Sequence, residues 1–207
     1  NLRIGYLITA RLKSTRLPKK LLLEIKGKSI LSHMIDRLKL IKSVDEIIIC
    51  TSYEDQDKPL INIANENQIK YFLGDPNDVI KRLYDASEEF NLDYVLNITA
   101  DCPLVDPVYA DLIVDKFIET DADLIRQLDL PHGVFSYGIK VSALKKINEI
   151  KDSKHTEVWG KYFTDTGIFS ILDLDVTDDF HRRPGLRMTV DYPEDFEFLK
   201  RVFAELY

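Results

Sequence analysis

The 207-residue chain carries 28 basic and 35 acidic side chains, a formal net charge of −7, and 45% hydrophobic residues. This length fits one domain with a substantial core, and the acidic balance argues against a general binder of nucleic acid or of anionic membranes. No apolar run could span a bilayer, no signal peptide is recognisable, and Cys50 and Cys102 form neither a disulfide scaffold nor a metal pair by spacing, so we expect a cytoplasmic protein.

Strand and helix patterns alternate through the first 120 residues. Apolar runs predict strands at 4–10, 46–50, 70–73 and 94–99, and helical spacing predicts helices at 29–42, 58–67, 79–90 and 107–120. Further on, we expect strands at 123–125, 135–141, 168–174 and 187–190 and helices at 143–150, 157–163 and from 193 onward. This alternation predicts an α/β fold, one domain over residues 1–207 whose mostly parallel central sheet is flanked by helices.

A basic segment follows the first predicted strand. Residues 9–20 contain no acidic side chain and five basic ones, Arg11, Lys13, Arg16, Lys19 and Lys20. These cations lie at the carboxyl end of a strand, where open α/β sheets bind ligands, so the segment could hold a polyanion such as a triphosphate. A solvated basic loop is the alternative.

Two aspartates directly follow predicted strands, Asp101 and Asp191. If those strands end side by side, the two carboxylates and phosphate oxygens form a natural Mg²⁺ site, because Mg²⁺ prefers hard oxygen ligands and shares them with substrate phosphates. It is equally open that each aspartate caps the turn that follows it.

Taken together, the basic segment and the aspartates suit in-line attack on the α-phosphorus of a nucleoside triphosphate, with release of pyrophosphate. The sequence offers no evident general base. The basic segment has neither the Gly-x-x-x-x-Gly-Lys-Ser/Thr nor the Gly-x-Gly-x-x-Gly pattern, which argues against a P-loop kinase and a dinucleotide oxidoreductase.

Residues 10–20 resemble the Ala-Arg-x-x-Ser-x-Arg-x-Pro-x-Lys stretch of cytidylyltransferases, which activate acidic sugars such as sialic acids and 3-deoxy-manno-octulosonate as CMP-sugars. Lys19 stands where those enzymes often have glycine. The branch named for spore-coat polysaccharide biosynthesis is the most similar, because it also has the Thr-Ala-Asp-Cys-Pro-Leu of 99–104 and the Asp-Tyr-Pro-Glu-Asp of 191–195. The three motifs occur in the same order over nearly the whole chain.

The resemblance implies a glycosyltransferase-A-like fold, CTP, Mg²⁺ and a homodimer. By position it implies that the triphosphate is contacted by Arg11, Ser14, Arg16 and Lys20. The catalytic residues that it implies are Arg11, Arg16, Lys20 and Asp101. It places the metal ligands at Asp101 and Asp191 and the cytidine side at Thr51, Ser52, Asp78 and Arg82. A simple turn, a helix cap and a surface charge are the alternatives for the cytidine-side residues.

Acceptor-side stretches of the same branch are matched only in part, by residues 131–133 and 154–157, so His132, His155 and Glu157 are candidates to bind a sugar hydroxyl or carboxylate. Surface or packing roles are the commoner use of such residues. Arg187 lies four residues before Asp191 on the same predicted strand, so both side chains face one way. It could neutralise an acidic acceptor or form a salt bridge.

We therefore predict a CTP-dependent cytidylyltransferase that forms a CMP-activated sugar or sugar acid for surface polysaccharide synthesis. Residues 1–120 form the nucleotide-binding half, and residues 121–207 complete the sheet and bind the acceptor. One alternative is a nucleotidyltransferase that makes a CDP- or UDP-linked product from a sugar phosphate or polyol phosphate. Another is a non-catalytic nucleotide-binding protein of the same fold.

Overall fold

The computed structural model describes residues 2–207. In chain order its elements are β1 (Ile4–Thr9), β2 (Glu24–Ile25), β3 (Lys28–Ser29), α1 (Ile30–Leu38), β4 (Glu46–Ser52), α2 (Pro59–Glu66), β5 (Lys70–Gly74), α3 (Val79–Glu89), β6 (Tyr94–Thr99), α4 (Pro107–Thr120), β7 (Leu124–Arg126), β8 (Tyr137–Lys140), α5 (Val141–Ile150), α6 (Gly160–Thr164), β9 (Ile171–Asp173) and α7 (Pro193–Leu206). Short 3-10 turns lie at Lys20–Leu22 and Asp55–Asp57. None of the helices within residues 2–207 has both the length and the apolar character needed to cross a membrane.

The strand β1 lies inside a seven-stranded sheet with the order β5-β4-β1-β6-β8-β7-β9. β5, β4, β1 and β6 are parallel, and Tyr6 of β1 pairs with Ile47 of β4 and Leu96 of β6. β8 runs antiparallel to β6 and β7, and β9 is parallel to β7. The predicted α/β class with a mostly parallel sheet is therefore confirmed. The chain passes from β1 to β4 on one side and later returns to β6 on the other, so the carboxyl end of β1 is a switch point of the kind that binds ligands.

Helices cover both faces of the sheet because the side chains of β1 alternate between two cores. Tyr6 and Ile8 face the core shared with α1, α2 and α4, whereas Leu7 faces the core shared with α3, α5 and α6. A smaller apolar cluster joins α7 to the hairpin of β2 and β3 through Phe203 and Ile25. The two faces are thus closed, and polar side chains concentrate at the carboxyl edge of the sheet.

Several element bounds differ from the predicted ones. β4 continues to Ser52, because Thr51 and Ser52 pair with β5, so both are buried strand residues instead of turn residues. α1 ends at Leu38 instead of near 42, and the helix expected at 157–163 spans Gly160–Thr164.

The strand predicted at 187–190 is wrong. Only an isolated bridge forms there, between Arg187 and His132. The facing segment cannot extend the ladder, because Pro131 lacks an N–H and Gly133 has a positive φ of 97°. Residues 187–190 therefore run along the sheet edge as irregular chain.

Candidate active site

The basic segment and the two aspartates meet at the carboxyl ends of β1 and β6. Lys20 Nζ lies 3.0 Å from Asp101 Oδ2 and 3.2 Å from Asp191 Oδ1. Arg16 Nη2 lies 3.3 Å from the same Asp191 oxygen, and its guanidinium stands over the ring of Tyr192. We call Arg16, Lys20, Asp101 and Asp191 the Lys20 cluster. The structure thus brings together side chains from three distant parts of the sequence, and their roles as ligands stay predictions.

Main-chain bonds explain why these residues converge. Asp101 lies just beyond the end of β6, and its carbonyl accepts a hydrogen bond of 2.9 Å from Val190 N, which places Asp191 beside it. Lys20 opens a 3-10 turn after Lys19, whose φ of 51° lies in the left-handed region. This is the position where the resemblance leads one to expect glycine, and Lys19 adopts a backbone conformation that glycine adopts more easily.

Each aspartate of the Lys20 cluster has one oxygen held by the protein and the other facing Lys20. Asp101 Oδ1 accepts a hydrogen bond of 2.6 Å from Thr99 Oγ1. Asp191 Oδ2 accepts bonds of 2.7 Å from Thr189 Oγ1 and 3.2 Å from Arg187 Nη1. Partial burial opposes ionisation of Asp191, but the Thr189 hydroxyl and the Lys20 ammonium outweigh it and lower its pKa. This carboxylate is therefore charged at neutral pH.

The donor set of the Lys20 cluster fits a divalent cation. Two carboxylate oxygens, one from Asp101 and one from Asp191, face the ammonium of Lys20, and the Asp191 oxygen also faces the guanidinium of Arg16. Across residues 2–207, no group of three or more His, Cys, Asp or Glu side chains is arranged to hold a metal ion. A cation bound here would take two oxygens from the protein and the rest from water or substrate, which is the usual pattern for Mg²⁺ with phosphates.

Arg187 supports the Lys20 cluster through Asp195. Its guanidinium donates to Asp195 at 2.9 and 2.6 Å, and Asp195 Oδ2 also accepts bonds of 2.9 Å from the backbone N–H groups of Asp191 and Tyr192. Partial burial works against the charged form, but Arg187 and the two N–H groups lower the pKa of Asp195 to about 2. The structure thus has the salt bridge that was the alternative for Arg187, and its role as an acceptor ligand stays a prediction.

Arg11 lies in a second group of contacts. Its Nε donates to Asp57, its Nη1 to the carbonyl of Pro76 and its Nη2 to Glu54 Oε2 at 2.6 Å. All three nitrogens thus bond protein oxygens, and Arg11 ties the basic segment to the end of β4 and to the turn before α3. Ser14, also in the basic segment, accepts a weak bond from a backbone N–H, and both assigned phosphate roles stay predictions.

Asp57 was missed by the sequence analysis. Its side chain is fully buried, and besides Arg11 it accepts bonds of 2.8 Å from Leu12 N and 2.5 Å from Ser52 Oγ. In the sequence Asp57 is one of three acids in four residues, a pattern typical of a solvated turn. Only the fold shows that one of these acids points inward. We call Arg11, Ser52, Asp57, Pro76 and Arg82 the Arg11 cluster.

Two buried donors of this region lack partners within residues 2–207, Arg82 Nε and Thr51 Oγ1. Arg82 donates through Nη1 to the carbonyl of Asp75 at 2.8 Å, and burial lowers the pKa of its guanidinium. Buried polar groups are normally hydrogen-bonded, so unpaired ones beside a ligand edge are groups that a ligand can satisfy. Arg82 is therefore no surface charge, and its cytidine-side role stays a prediction.

Asp78 is the N-cap of α3, which is the helix-cap alternative given for it in the sequence analysis. Its Oδ1 accepts bonds of 3.1 Å from Lys81 N and 2.8 Å from Thr156 Oγ1, and its Oδ2 pairs with buried Lys151. These bonds fasten the segment 151–156 to the turn before α3. Both carboxylate oxygens of Asp78 thus bond protein groups, and its cytidine contact stays a prediction.

The acceptor candidates fall into two groups. His155 and Glu157 are exposed and flank Thr156, whose N–H bonds the Asn77 carbonyl at 3.2 Å on the Arg11 side. His132 instead pairs through its backbone with residues 186–188, on the approach to Asp191. The structure therefore places His132 beside Arg187, near Asp191, whereas His155 and Glu157 lie near the turn before α3.

Comparisons with a family profile, with related sequences and with solved structures all find similar proteins along nearly the whole chain. The family profile described as Cytidylyltransferase matches residues 6–203. A solved cytidylyltransferase from Leptospira borgpetersenii superposes with a TM-score of 0.91 at 29% identity, over 100% of this chain and 89% of that one. A spore coat polysaccharide biosynthesis protein of Bacillus subtilis is 24% identical over 209 residues, 98% of this chain and 87% of the relative. A CMP:2-keto-3-deoxy-manno-octonic acid synthetase complexed with CTP shares the fold, with a TM-score of 0.77 at 16% identity over 99% of this chain and 100% of that one.

Proposed function

This chain belongs to the cytidylyltransferase family, and on that premise we propose that it transfers CMP from CTP to a sugar or sugar acid and releases pyrophosphate. Family membership makes it a nucleotidyltransferase, and CTP-dependent cytidylyl transfer is the chemistry that its relatives support. The sugar acceptor is the proposed part. The similarity to a spore coat polysaccharide protein supports a role in surface polysaccharide synthesis.

The Lys20 cluster is the observation that carries the proposal. It combines two cations from the basic segment with two carboxylates from the ends of β6 and of the segment before α7, all at the carboxyl edge of the sheet. Phosphate transfer needs little covalent help from a protein, because positioning and charge neutralisation supply most of the catalysis. A site with these charges at a ligand-binding edge suits that task.

In the proposed reaction, an acceptor hydroxyl oxygen bonds to the α-phosphorus of CTP, and the bond from that phosphorus to the oxygen bridging to the β-phosphate breaks. The hydroxyl proton passes to water, and pyrophosphate leaves with the bridging oxygen. Arg16 and Lys20 bind the outer phosphates and stabilise the negative charge that develops on pyrophosphate. Arg11 holds the basic segment against the end of β4 while this happens.

Asp101 and Asp191 are the residues that would hold Mg²⁺ in this reaction. When bound, the ion supplies charge neutralisation at the α-phosphate and favours loss of the acceptor proton. The cytidine lies at the Arg11 cluster, which contains Arg82 and adjoins Thr51, and Arg82 Nε and Thr51 Oγ1 are buried donors without a partner within residues 2–207. His132 and Arg187 lie on the Asp191 side and are the better placed candidates for an acidic acceptor.

Pyrophosphate release tests the proposal. The protein with Mg²⁺ is supplied with CTP, UTP, ATP or GTP and with a panel of sugar acids, neutral sugars, sugar phosphates and polyol phosphates. We expect release with CTP and a sugar or sugar acid, and loss of release in Asp101→Asn. The α3 variant Asp85→Asn, which changes a half-exposed carboxylate paired with Lys81, keeps it. Release only with a sugar phosphate or polyol phosphate would favour a CDP- or UDP-linked product, and no release with any pair would favour a non-catalytic protein.

The homodimer implied by the resemblance is part of this proposal. Light scattering in solution tests it, with twice the 24.0 kDa chain mass expected and the single chain mass as the contrary result.

A further inference from the structure

The same short pattern precedes both aspartates of the Lys20 cluster. Thr99-Ala100-Asp101 begins at the last residue of β6, and Thr189-Val190-Asp191 lies in the segment before α7. In both, the threonine Oγ1 bonds one oxygen of the aspartate two residues later, at 2.6 and 2.7 Å. Two unrelated parts of the chain thus reach the same local arrangement at one site.

The direction of these bonds is fixed by chemistry. An ionised carboxylate only accepts hydrogen bonds, so each threonine hydroxyl must donate. A carboxylate of aspartate otherwise rotates within a broad, roughly two-fold torsional well. With one oxygen held by threonine, the other oxygen points at a defined place, and for both aspartates this place is the ammonium of Lys20, at 3.0 and 3.2 Å.

We propose that Thr99 and Thr189 are positioning residues, whose hydroxyls aim one oxygen of each aspartate at the point where a divalent cation binds together with CTP. This inference rests on the proposed function for the identity of the cation's partner, the nucleotide triphosphate. The threonines do not touch the cation or the nucleotide. They act through Asp101 and Asp191, as outer hydrogen-bond partners of metal ligands commonly do.

The surroundings of the two threonines favour this role over simple packing. Thr99 is exposed, so its hydroxyl has water available and is not required to fill a core. Thr189 is buried, and its Oγ1 also accepts a bond of 3.0 Å from Arg187 Nη1, which polarises the hydroxyl toward Asp191. The two positions differ in burial but share one bond.

The test measures free Mn²⁺ by electron paramagnetic resonance while Mn²⁺ is titrated into protein saturated with CTP. Thr99→Val and Thr189→Val keep the side-chain shape and lose the hydroxyl, and Thr99→Ser and Thr189→Ser keep it. We expect each valine variant to weaken Mn²⁺ binding by about tenfold and each serine variant to stay within about twofold of wild type. Thr120→Val, whose hydroxyl bonds a carbonyl at the end of α4, is the control and keeps wild-type affinity.

The outcomes separate this inference from the proposed function. Valine variants that bind Mn²⁺ as tightly as wild type would overturn it, as would serine variants that bind as weakly as the valine ones. A wild-type protein without CTP-dependent Mn²⁺ binding would overturn it as well. Wild-type protein that binds Mn²⁺ with CTP and shows the expected variant pattern, yet releases no pyrophosphate, would support the inference and count against the proposed reaction. If circular dichroism shows that one valine variant is unfolded, the inference is judged from the serine variant at that position and the valine variant of the other threonine.

Discussion

Lys20 occupies the position that a cation would take between the two aspartates. Its ammonium lies within 3.2 Å of one oxygen from Asp101 and one from Asp191, and only 13% of its side chain is exposed. Two carboxylates held this close repel each other unless a positive charge lies between them. Lys20 therefore stabilises the pair in the absence of a metal, and under the proposed function it would leave this position when a cation binds with CTP.

Replacing this lysine tests the competition. In Lys20→Met the aspartate pair loses its internal cation, so we expect Mn²⁺ affinity without nucleotide to rise by at least about tenfold, while CTP turnover falls by about a hundredfold because a phosphate ligand is lost. Calorimetric titration measures the first effect and pyrophosphate release the second. Lys13→Met, which removes an exposed cation of the same segment, should leave Mn²⁺ affinity unchanged. Equal affinity in Lys20→Met and wild type would contradict this role.

At the scale of elements, the 3-10 turn Asp55–Asp57 after β4 is what fixes the basic segment. Asp57 accepts from Arg11, Leu12 and Ser52, so a single buried carboxylate joins the loop after β1 to the strand beside it. The loop therefore keeps its shape through protein contacts, before any phosphate is present. Such preorganisation lowers the cost of arranging cations when the ligand binds.

Asp57→Asn is expected to lower the free energy of unfolding by about 3 kcal/mol, because the partly buried Arg11 guanidinium loses its buried carboxylate and keeps only the more exposed Glu54. Urea denaturation followed by circular dichroism measures the loss. Asp55→Asn in the same turn is the matched control, since Asp55 forms only an exposed pair with Lys58 and should leave the midpoint unchanged. Similar midpoints for the two variants would show that the buried contacts of Asp57 contribute little.

The first turn of α7 stabilises the fold in a pH-dependent manner. The folded pKa of Asp195, about 2, lies below its ordinary value near 3.9, so its contribution is fully present above that ordinary value and is lost as the pH falls toward 2. We expect the difference in unfolding free energy between wild type and Asp195→Asn to be constant above about pH 5 and to shrink between about pH 4 and 2.

Urea titrations across this range measure that difference. Glu194→Gln, in the same turn and without a hydrogen-bond partner within residues 2–207, serves as the control and should not reproduce the decline. If the difference in unfolding free energy between wild type and Asp195→Asn stays constant down to pH 2, the ion pair of Asp195 with Arg187 does not stabilise the folded state through charge.

At the scale of the molecule, sequence periodicity was enough to predict the α/β class and most elements of the first half. It also predicted that the basic segment and Asp101 share one edge of the sheet, because both follow parallel strands. Asp191 was expected there on a strand that does not form, and it reaches the site through the bond from Val190 N to the Asp101 carbonyl. Local patterns could not show which acid of residues 54–57 is buried. They also could not show that the segment before Asp191 is no strand, because both features depend on tertiary neighbours such as Arg11 and Gly133.

The proposed reaction requires one metal-nucleotide site shared by the basic segment and the two aspartates. Diffraction at the manganese absorption edge, from crystals grown with CTP and Mn²⁺, tests it most directly. We expect a manganese peak bound by Asp101 Oδ2 and Asp191 Oδ1, with Lys20 Nζ moved from between them onto a phosphate oxygen of CTP. A peak bound by neither aspartate, or Lys20 still bridging the two carboxylates beside bound CTP, would contradict it.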